Sequence, residues 1–306
     1  MIELIATVES IQQAKGLLEV GVDCLYFGED QFGLRLPTSF TKEQQAELTQ
    51  LAHAHDAKVS VAVNAIFHNE GIDRVPDYLS FLKEIGVDSI TLGDPGVVQK
   101  MKKHQVEMPF RYDAQVIVTN SRQINFWAKR GAISAVLARE IPKEEMEAIA
   151  KGVNIPVEVL VYGATCIHQS RRPLLQNYFN YIAKQESVGR NRGLFLSEPL
   201  KKDTHYSIYE DDNGTHIFAN NDILMVQHLE ELWSMGISQW KLDGLFTEAD
   251  NFVTIADNFS QIRYHLESGA WNSEMAAVYE KEIKALHPKV RGLDTGFYLK
   301  DPEEIV

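Results

Sequence analysis

The chain has 306 residues, of which 44% are hydrophobic, 24% charged and 9% aromatic, and its net charge is −13. This composition excludes disorder, collagen and a disulfide scaffold, and the charge makes any phosphate-binding surface a local exception. Its two cysteines, Cys24 and Cys166, make no disulfide framework and fit a reducing cytoplasm.

Residues 2–7 form the first strand-like run, with no basic start or cleavage site of a targeting segment before it. No apolar run approaches the ~18 residues of a membrane span. Helical periodicity follows at 10–20, 42–56, 75–86, 121–131 and 143–152. Short runs at 24–27, 59–63, 89–92, 109–115, 133–137 and 157–161 alternate with it. After an interruption come a helix at 228–236, a strand at 239–242 and a long helix at 248–269. Except for the more polar 109–115, the runs are apolar on both faces, as parallel strands covered on both sides must be. Eight strands alternating with helices predict an α/β fold, a single TIM-like (β/α)8 barrel over 1–306 with a C-terminal tail from 270.

A degenerate repeat supports the barrel. LLEVGVDCLYFGE, FLKEIGVDSITLGD, FWAKRGAISAVLARE and ELWSMGISQWKLDG each end a helix at a glycine (Gly21, Gly86, Gly131, Gly236). Each then runs through a strand to a carboxylate: Glu29, Asp94, Glu140 and Asp243. These acids either ring the C-terminal mouth, where such barrels keep their chemistry, or are ordinary loop polarity. Asp94-Pro95-Gly96 also fits a helix N-cap with proline at the first position.

The alternation fails over 165–225, an insertion after the seventh strand. Residues 173–183 are helical and aromatic (Tyr178, Phe179, Tyr181), and 204–218 is expected to form a hairpin around Asp212-Asn213-Gly214. From Cys166 to Lys202 the net charge is +5, against −18 for the remainder. Arg171, Arg172, Arg190 and Arg192 mixed with Tyr178 suit RNA, with guanidinium forks for phosphates and rings for bases. The alternative is a helix with its rings inward and its arginines paired to the acidic body.

HExxH, GxSxG, P-loop and GxGxxG motifs are absent. Cys166 and His168 could act as nucleophile and base, or the thiol could be packed and inert. Arg35, Arg139 and Lys241 lie near strand ends, where they could converge on an anionic ligand or neutralise the acids. Asn64 and Gln115 also end strands, and Asn120 fits a helix cap.

At these residues the chain resembles the U32 peptidase family over nearly its whole length. The blocks are DCLYFGEDQFGLR, VAVNAIFHNEGID, TLGDPGVV, DAQVIVTNS with FWAKRGAISAVLAREI, VEVLVYGATCIHQSRRPLL, and Asn191-Arg192-Gly193. The resemblance implies a TIM-like barrel and a peptidase of unknown catalytic type, with collagenase-like activity in some members. Others act in RNA hydroxylation and oxygen-independent ubiquinone hydroxylation. The shorter members, found beside a longer paralogue, are tied to 5-hydroxyuridine at the tRNA wobble position, with prephenate implicated.

Hydroxylating members hold a four-iron, four-sulfur cluster with four cysteines. Only the first matches here, at Cys166. The other positions fall at Pro173, at Leu194 or Phe195, and near Leu224. The family's K-x-E-G-R segment is Lys241-Leu242-Asp243-Gly244-Leu245, without the arginine. The expectation is therefore a cytoplasmic protein without a tightly bound cofactor or metal. It would serve as a cluster-lacking subunit beside a longer U32 paralogue, binding tRNA, a prephenate-like small acid, or both. Glu29, Arg139, Glu140, Cys166, Lys241 and Asp243 are the expected catalytic set. Arg35, Asn64, Gln115, Asn120 and His168 would bind substrate, and Arg171, Arg172, Tyr178, Arg190 and Arg192 would bind RNA. A peptide hydrolase and a non-catalytic scaffold are the alternatives, and a homo-oligomer is left open.

Overall fold

The computed structural model describes residues 1–113 and 117–301. Seven parallel strands open the chain: β1 (Glu3–Thr7), β2 (Cys24–Gly28), β3 (Lys58–Ala62), β4 (Ser89–Leu92), β5 (Phe110–Tyr112), β6 (Ala132–Val136) and β7 (Val157–Gly163). Helices α1 (Ile11–Glu19), α2 (Lys42–Ala54), α3 (Asn69–Ile72), α4 (Val75–Glu84), α5 (Pro95–His104), α6 (Ser121–Ala128) and α7 (Lys143–Gly152) connect them. Beyond the insertion, a further strand over Gln239–Leu242 (β13 in chain order) pairs in parallel with both β7 and β1 and closes an eight-stranded barrel. The strands are those the hydrophobic runs predict. Gly21, Gly86, Gly131 and Gly236 all carry φ between 83° and 101°, so each stops its helix in a conformation that favours glycine.

The outer core forms where helix stripes meet the strands. Trp240 of β13 is fully buried, in one cluster with Phe252 and Phe259 of α10 (Ala249–Glu267). Inside the barrel the packing is partly polar. Arg111 of β5 donates to Glu3 at 2.8 Å and to Glu158 at 3.3 Å, and Gln239 donates to Glu3 at 2.6 Å. Charges taken out of water persist only when paired this closely.

The insertion is a second, antiparallel sheet. Its strands β8 (Cys166–Ser170), β9 (Phe195–Glu198), β10 (Lys201–Asp211) and β11 (Gly214–Phe218) lie in the order β8-β11-β10-β9, with α8 (Leu174–Tyr181) beside them. The expected hairpin is present, and Asn213 at its tip donates to the carbonyls of Asp30 and Gly33, at 2.7 and 3.1 Å. Next, β12 (Asn221–Leu224) adds antiparallel to β7, and α9 (Leu229–Ser234) leads into β13.

The segment expected as a tail is structured as α11 (Ser273–Leu286) and β14 (Gly292–Asp294). The reason is a buried anchor. The Arg291 guanidinium grips Asp222 of β12, donates to Ser207 of β10 at 2.6 Å, and lies 4.6 Å from the Phe246 ring centroid.

Candidate functional site

The barrel mouth is assembled from strand ends. Asn64, just after β3, accepts from the Leu34 amide at 3.0 Å and donates to Asp113 at 3.0 Å, tying the loop after β2 to the end of β5. It thereby fixes the geometry of the mouth that it also lines. Arg35 follows with φ 55°, a conformation uncommon for a side chain of its size, and donates to Gln169 of the insertion at 3.0 Å. At the end of β7, Gly163 has φ 120°, and a Cβ there would sit 2.2 Å from the Asp243 carbonyl oxygen. Only glycine lets β7 approach the Asp243 backbone this closely.

These contacts shape a cleft of about 510 Å³ lined by Arg35, Asn64, Asp113, Arg139, Lys241 and Asp243, among others. Lys241 is 7% exposed and its ammonium lies 3.1 Å from the Tyr26 ring centroid. Burial pulls its pKa down to about 8, against the opposing pull of Glu158 and Asp243. Burial likewise pushes the Asp243 carboxyl up and the Arg139 guanidinium down. Arg139 also donates to the Ala164 carbonyl. The cations do converge, and Asp113, Glu158 and Asp243 line the same cleft, while Glu29 and Asp94 of the expected ring lie elsewhere.

A second cleft, of about 470 Å³, shares Arg35, Asp113 and Arg139 and continues to Glu140, Thr165 and Cys166. Cys166 does not use His168. In a regular strand the two would share a face, but β8 bulges. Cys166 pairs with Phe218 while His168 pairs with Ile217, so Ile167 is the extra residue. The bulge reverses the alternation. Cys166 and Gln169 turn inward with His216 and Phe218, while His168 is exposed and contributes its carbonyl, which accepts from Cys166 Sγ at 3.3 Å.

The imidazole on that face is His216 of β11, fully buried, with Nε2 2.8 Å from Asp211 Oδ1. Burial pushes the Cys166 thiol up, but His216, Arg35 and Arg139 outweigh it and hold the thiol below its ordinary value. Burial also opposes charge on His216, yet Asp211 and Cys166 raise its pKa above the usual imidazole range.

The other expected residues scatter. Glu29 lines a separate open cavity with Arg74, Arg171 and Asp212. Asp94 caps α5, accepting from Gly96 N at 2.7 Å, and Asn120 caps α6, accepting from Gln123 N at 2.9 Å. Gln115 lies outside the described residues. Arg190 is a strut rather than a free contact: it pairs with Asp30 at 2.6 Å and Asp211 at 3.7 Å and donates to the Leu36 carbonyl. Arg192 pairs with Glu186 at 3.2 Å on the surface. Arg171, Arg172 and Tyr178 are exposed, as are Tyr181 (89%) and Phe195 (52%), and Phe195 stacks on His205 at 4.2 Å between centroids.

A four-thiolate cluster does not fit this donor set. Pro173, Leu194, Phe195 and Leu224 offer no sulfur, and Cys24 is fully buried in β2, its thiol pushed up to about 12 by burial. Among the described residues no group of three or more His, Cys, Asp or Glu side chains could hold a metal ion. No helix among them is long and apolar enough to cross a membrane.

A model of peptidase family U32 matches residues 9–306. The "tRNA hydroxylation protein P2" of Bacillus subtilis (strain 168) is 33% identical over 303 residues, 98% of each chain. The "tRNA hydroxylation protein P" of Escherichia coli (strain K12) is 24% identical over 79% of this chain and 63% of its own. The "23S rRNA 5-hydroxycytidine C2501 synthase" of the same strain is 24% identical over 85% of this chain and 39% of its own. The chain therefore spans nearly all of the Bacillus relative and under two thirds of the Escherichia ones. A solved U32 peptidase structure aligns with a TM-score of 0.50 at 14% identity, covering 79% of this chain and 92% of that one, which shows a shared fold.

Proposed function

The chain belongs to peptidase family U32, and on that premise we propose that it acts in hydroxylating the wobble uridine of tRNA. One observation carries the reading: end to end, the chain is similar to a protein named for tRNA hydroxylation. The surface is consistent with it. On an acidic protein, the insertion carries exposed Arg171, Arg172, Tyr178, Tyr181 and Phe195, the mixture that holds a backbone and stacks bases. The mouth beneath would hold a prephenate-like small acid, with Arg35, Arg139 and Lys241 facing its carboxylates.

With one thiol near the mouth, the chain carries no iron–sulfur cluster of its own and works in the cytoplasm beside a longer, cluster-bearing paralogue. Mass spectrometry of tRNA from a deletion strain tests the reading. Loss of 5-hydroxyuridine is expected, and an unchanged level overturns it. A second reading, peptide hydrolysis, is favoured by the alignment of Cys166, His216 and Asp211. Purified chain that cleaves gelatin, and stops when Cys166→Ala is introduced, would establish it.

A further inference from the structure

The insertion sheet turns one face toward the barrel mouth, and that face carries a thiol, an imidazole and a carboxylate in sequence. Cys166 lines the mouth cleft, His216 stands behind it, and Asp211 holds the far nitrogen of the ring at 2.8 Å. That is the arrangement of an activated nucleophile: a weak acid, a base within reach, and a third group fixing the base's orientation. Its partnering is incomplete. The His216 Nδ1 atom, on the side of Cys166, is buried without a well-formed hydrogen bond, and Gln169 Nε2, Tyr209 OH and Thr165 Oγ1 around it are likewise buried without one. Native interiors rarely leave four such atoms together, so the cluster is built for a polar guest. Arg35 and Arg139 line the same cleft and suit a developing oxyanion.

We propose that Cys166 is a catalytic nucleophile that adds to C6 of the target pyrimidine, with His216 carrying the proton and Asp211 positioning His216. The proposal rests on the tRNA reading above, and the name of one relative, a 5-hydroxycytidine synthase, puts that protein's chemistry at C5 of a pyrimidine. In the step, the thiol proton passes to His216 Nδ1 and the Sγ–C6 bond forms. The C5–C6 π bond breaks, and its electron pair spreads over C5 and O4 as an enolate facing the guanidinium groups. His216 returns the proton to C5, and reversal, by removing either hydrogen from C5, restores the uracil ring. No oxidant is consumed. Before it is protonated, the enolate leaves C5 electron-rich, which is what attack on an electrophilic oxygen donor requires. The thiol's lowered pKa agrees with the geometry but is not needed for it.

Exchange at C5 tests this without requiring hydroxylation. The full chain, with any protein that co-purifies, is incubated with a tRNA transcript carrying 5-tritiated uridine. Tritium is expected in the water. Cys166→Ser should reduce release to background, and His216→Gln should slow it about a hundredfold. Asp211→Asn should shift the pH profile of release, which a merely structural role would not do, and circular dichroism checks that each variant is folded. A transcript carrying 5-fluorouridine should trap a covalent complex that Cys166→Ser does not form. Absence of both release and trapping with the unaltered chain overturns the proposal, as does undiminished release by Cys166→Ser. Gelatin cleavage that depends on Cys166 also overturns it, by assigning the thiol to acyl transfer. In the deletion strain, retained 5-hydroxyuridine sinks the tRNA reading itself. Lost 5-hydroxyuridine fully restored by a Cys166→Ser chain sinks only the thiol step.

Discussion

Two polar networks lie one above the other in this barrel. The lower one, Glu3, Arg111, Glu158 and Gln239, is almost closed, and Arg111 Nε is its only fully buried side-chain atom without a partner among the described residues. The upper one, where the insertion sheet covers the mouth, leaves Thr165, Gln169, Tyr209 and His216 each with an unpaired buried atom. Burial is similar in both, so it does not distinguish them. Saturation does: a network whose members satisfy one another specifies a fold, and one left open has capacity for something outside the chain.

The sharpest way to break that contrast is in the lower network. Arg111→Leu would leave Glu3 and Glu158 facing each other in a low dielectric, and should destabilise the chain by about 3–5 kcal/mol in urea unfolding. A loss under ~1 kcal/mol would make this pair equivalent to a surface ion pair and erase the distinction.

Next in size is the hinge of the upper network. Gly214 has φ 97°, and a Cβ there would lie 2.1 Å from the Ser170 carbonyl oxygen, so Gly214→Ala must push β8 away from β11. The strain amounts to roughly 1–3 kcal/mol at one residue. It should separate Cys166 from His216 and open the insertion to limited proteolysis, while the barrel's own thermal transition moves little. Loss of the whole fold would mean the sheet is not a separable layer.

The insertion's arginines divide by the same criterion. Arg190 is held between Asp30 at 2.6 Å, the Leu36 carbonyl and the Asp211 carboxylate at 3.7 Å, so Arg190→Ala should lower stability by about 1–3 kcal/mol. Arg171 and Arg172 are exposed. Replacing both with alanine should leave stability alone, weaken tRNA binding, and reduce the salt slope of binding by about 2. The reverse pattern would make Arg190 the phosphate contact.

How much of this could be read in advance follows from the same physics. The eight strands and the helix-stopping glycines announce themselves because doubly covered strands are apolar throughout and each helix must end somewhere. The hairpin at Asp212-Asn213-Gly214 is equally local. Arg111 and Glu158 are single polar residues in short runs, and nothing nearby in sequence says they meet across the barrel interior. His216 was hidden by one residue. The bulge at Ile167 reverses the alternation of β8, so spacing alone pairs Cys166 with His168. Helix α11 falls in the segment whose sequence suggests a tail because what anchors that segment, Arg291 on Asp222, is a contact 69 residues apart.

The smallest expected effect concerns Lys241, whose charge links the two layers. With a pKa near 8 it is protonated below that pH and neutral above, so attraction for an anionic ligand fades as pH rises through about 8. Prephenate affinity, measured by calorimetry, should fall roughly tenfold between pH 7 and 9 and lose that dependence in Lys241→Met. Without ligand the sign inverts. The folded value lies below the ordinary 10.5, so the unfolded chain binds the extra proton, and Lys241's contribution to stability grows as pH rises from about 8 toward 10.5. One residue thus weakens binding and strengthens folding over the same pH range. A buried cation kept for an anion must behave this way, whereas a merely structural lysine would leave prephenate affinity flat.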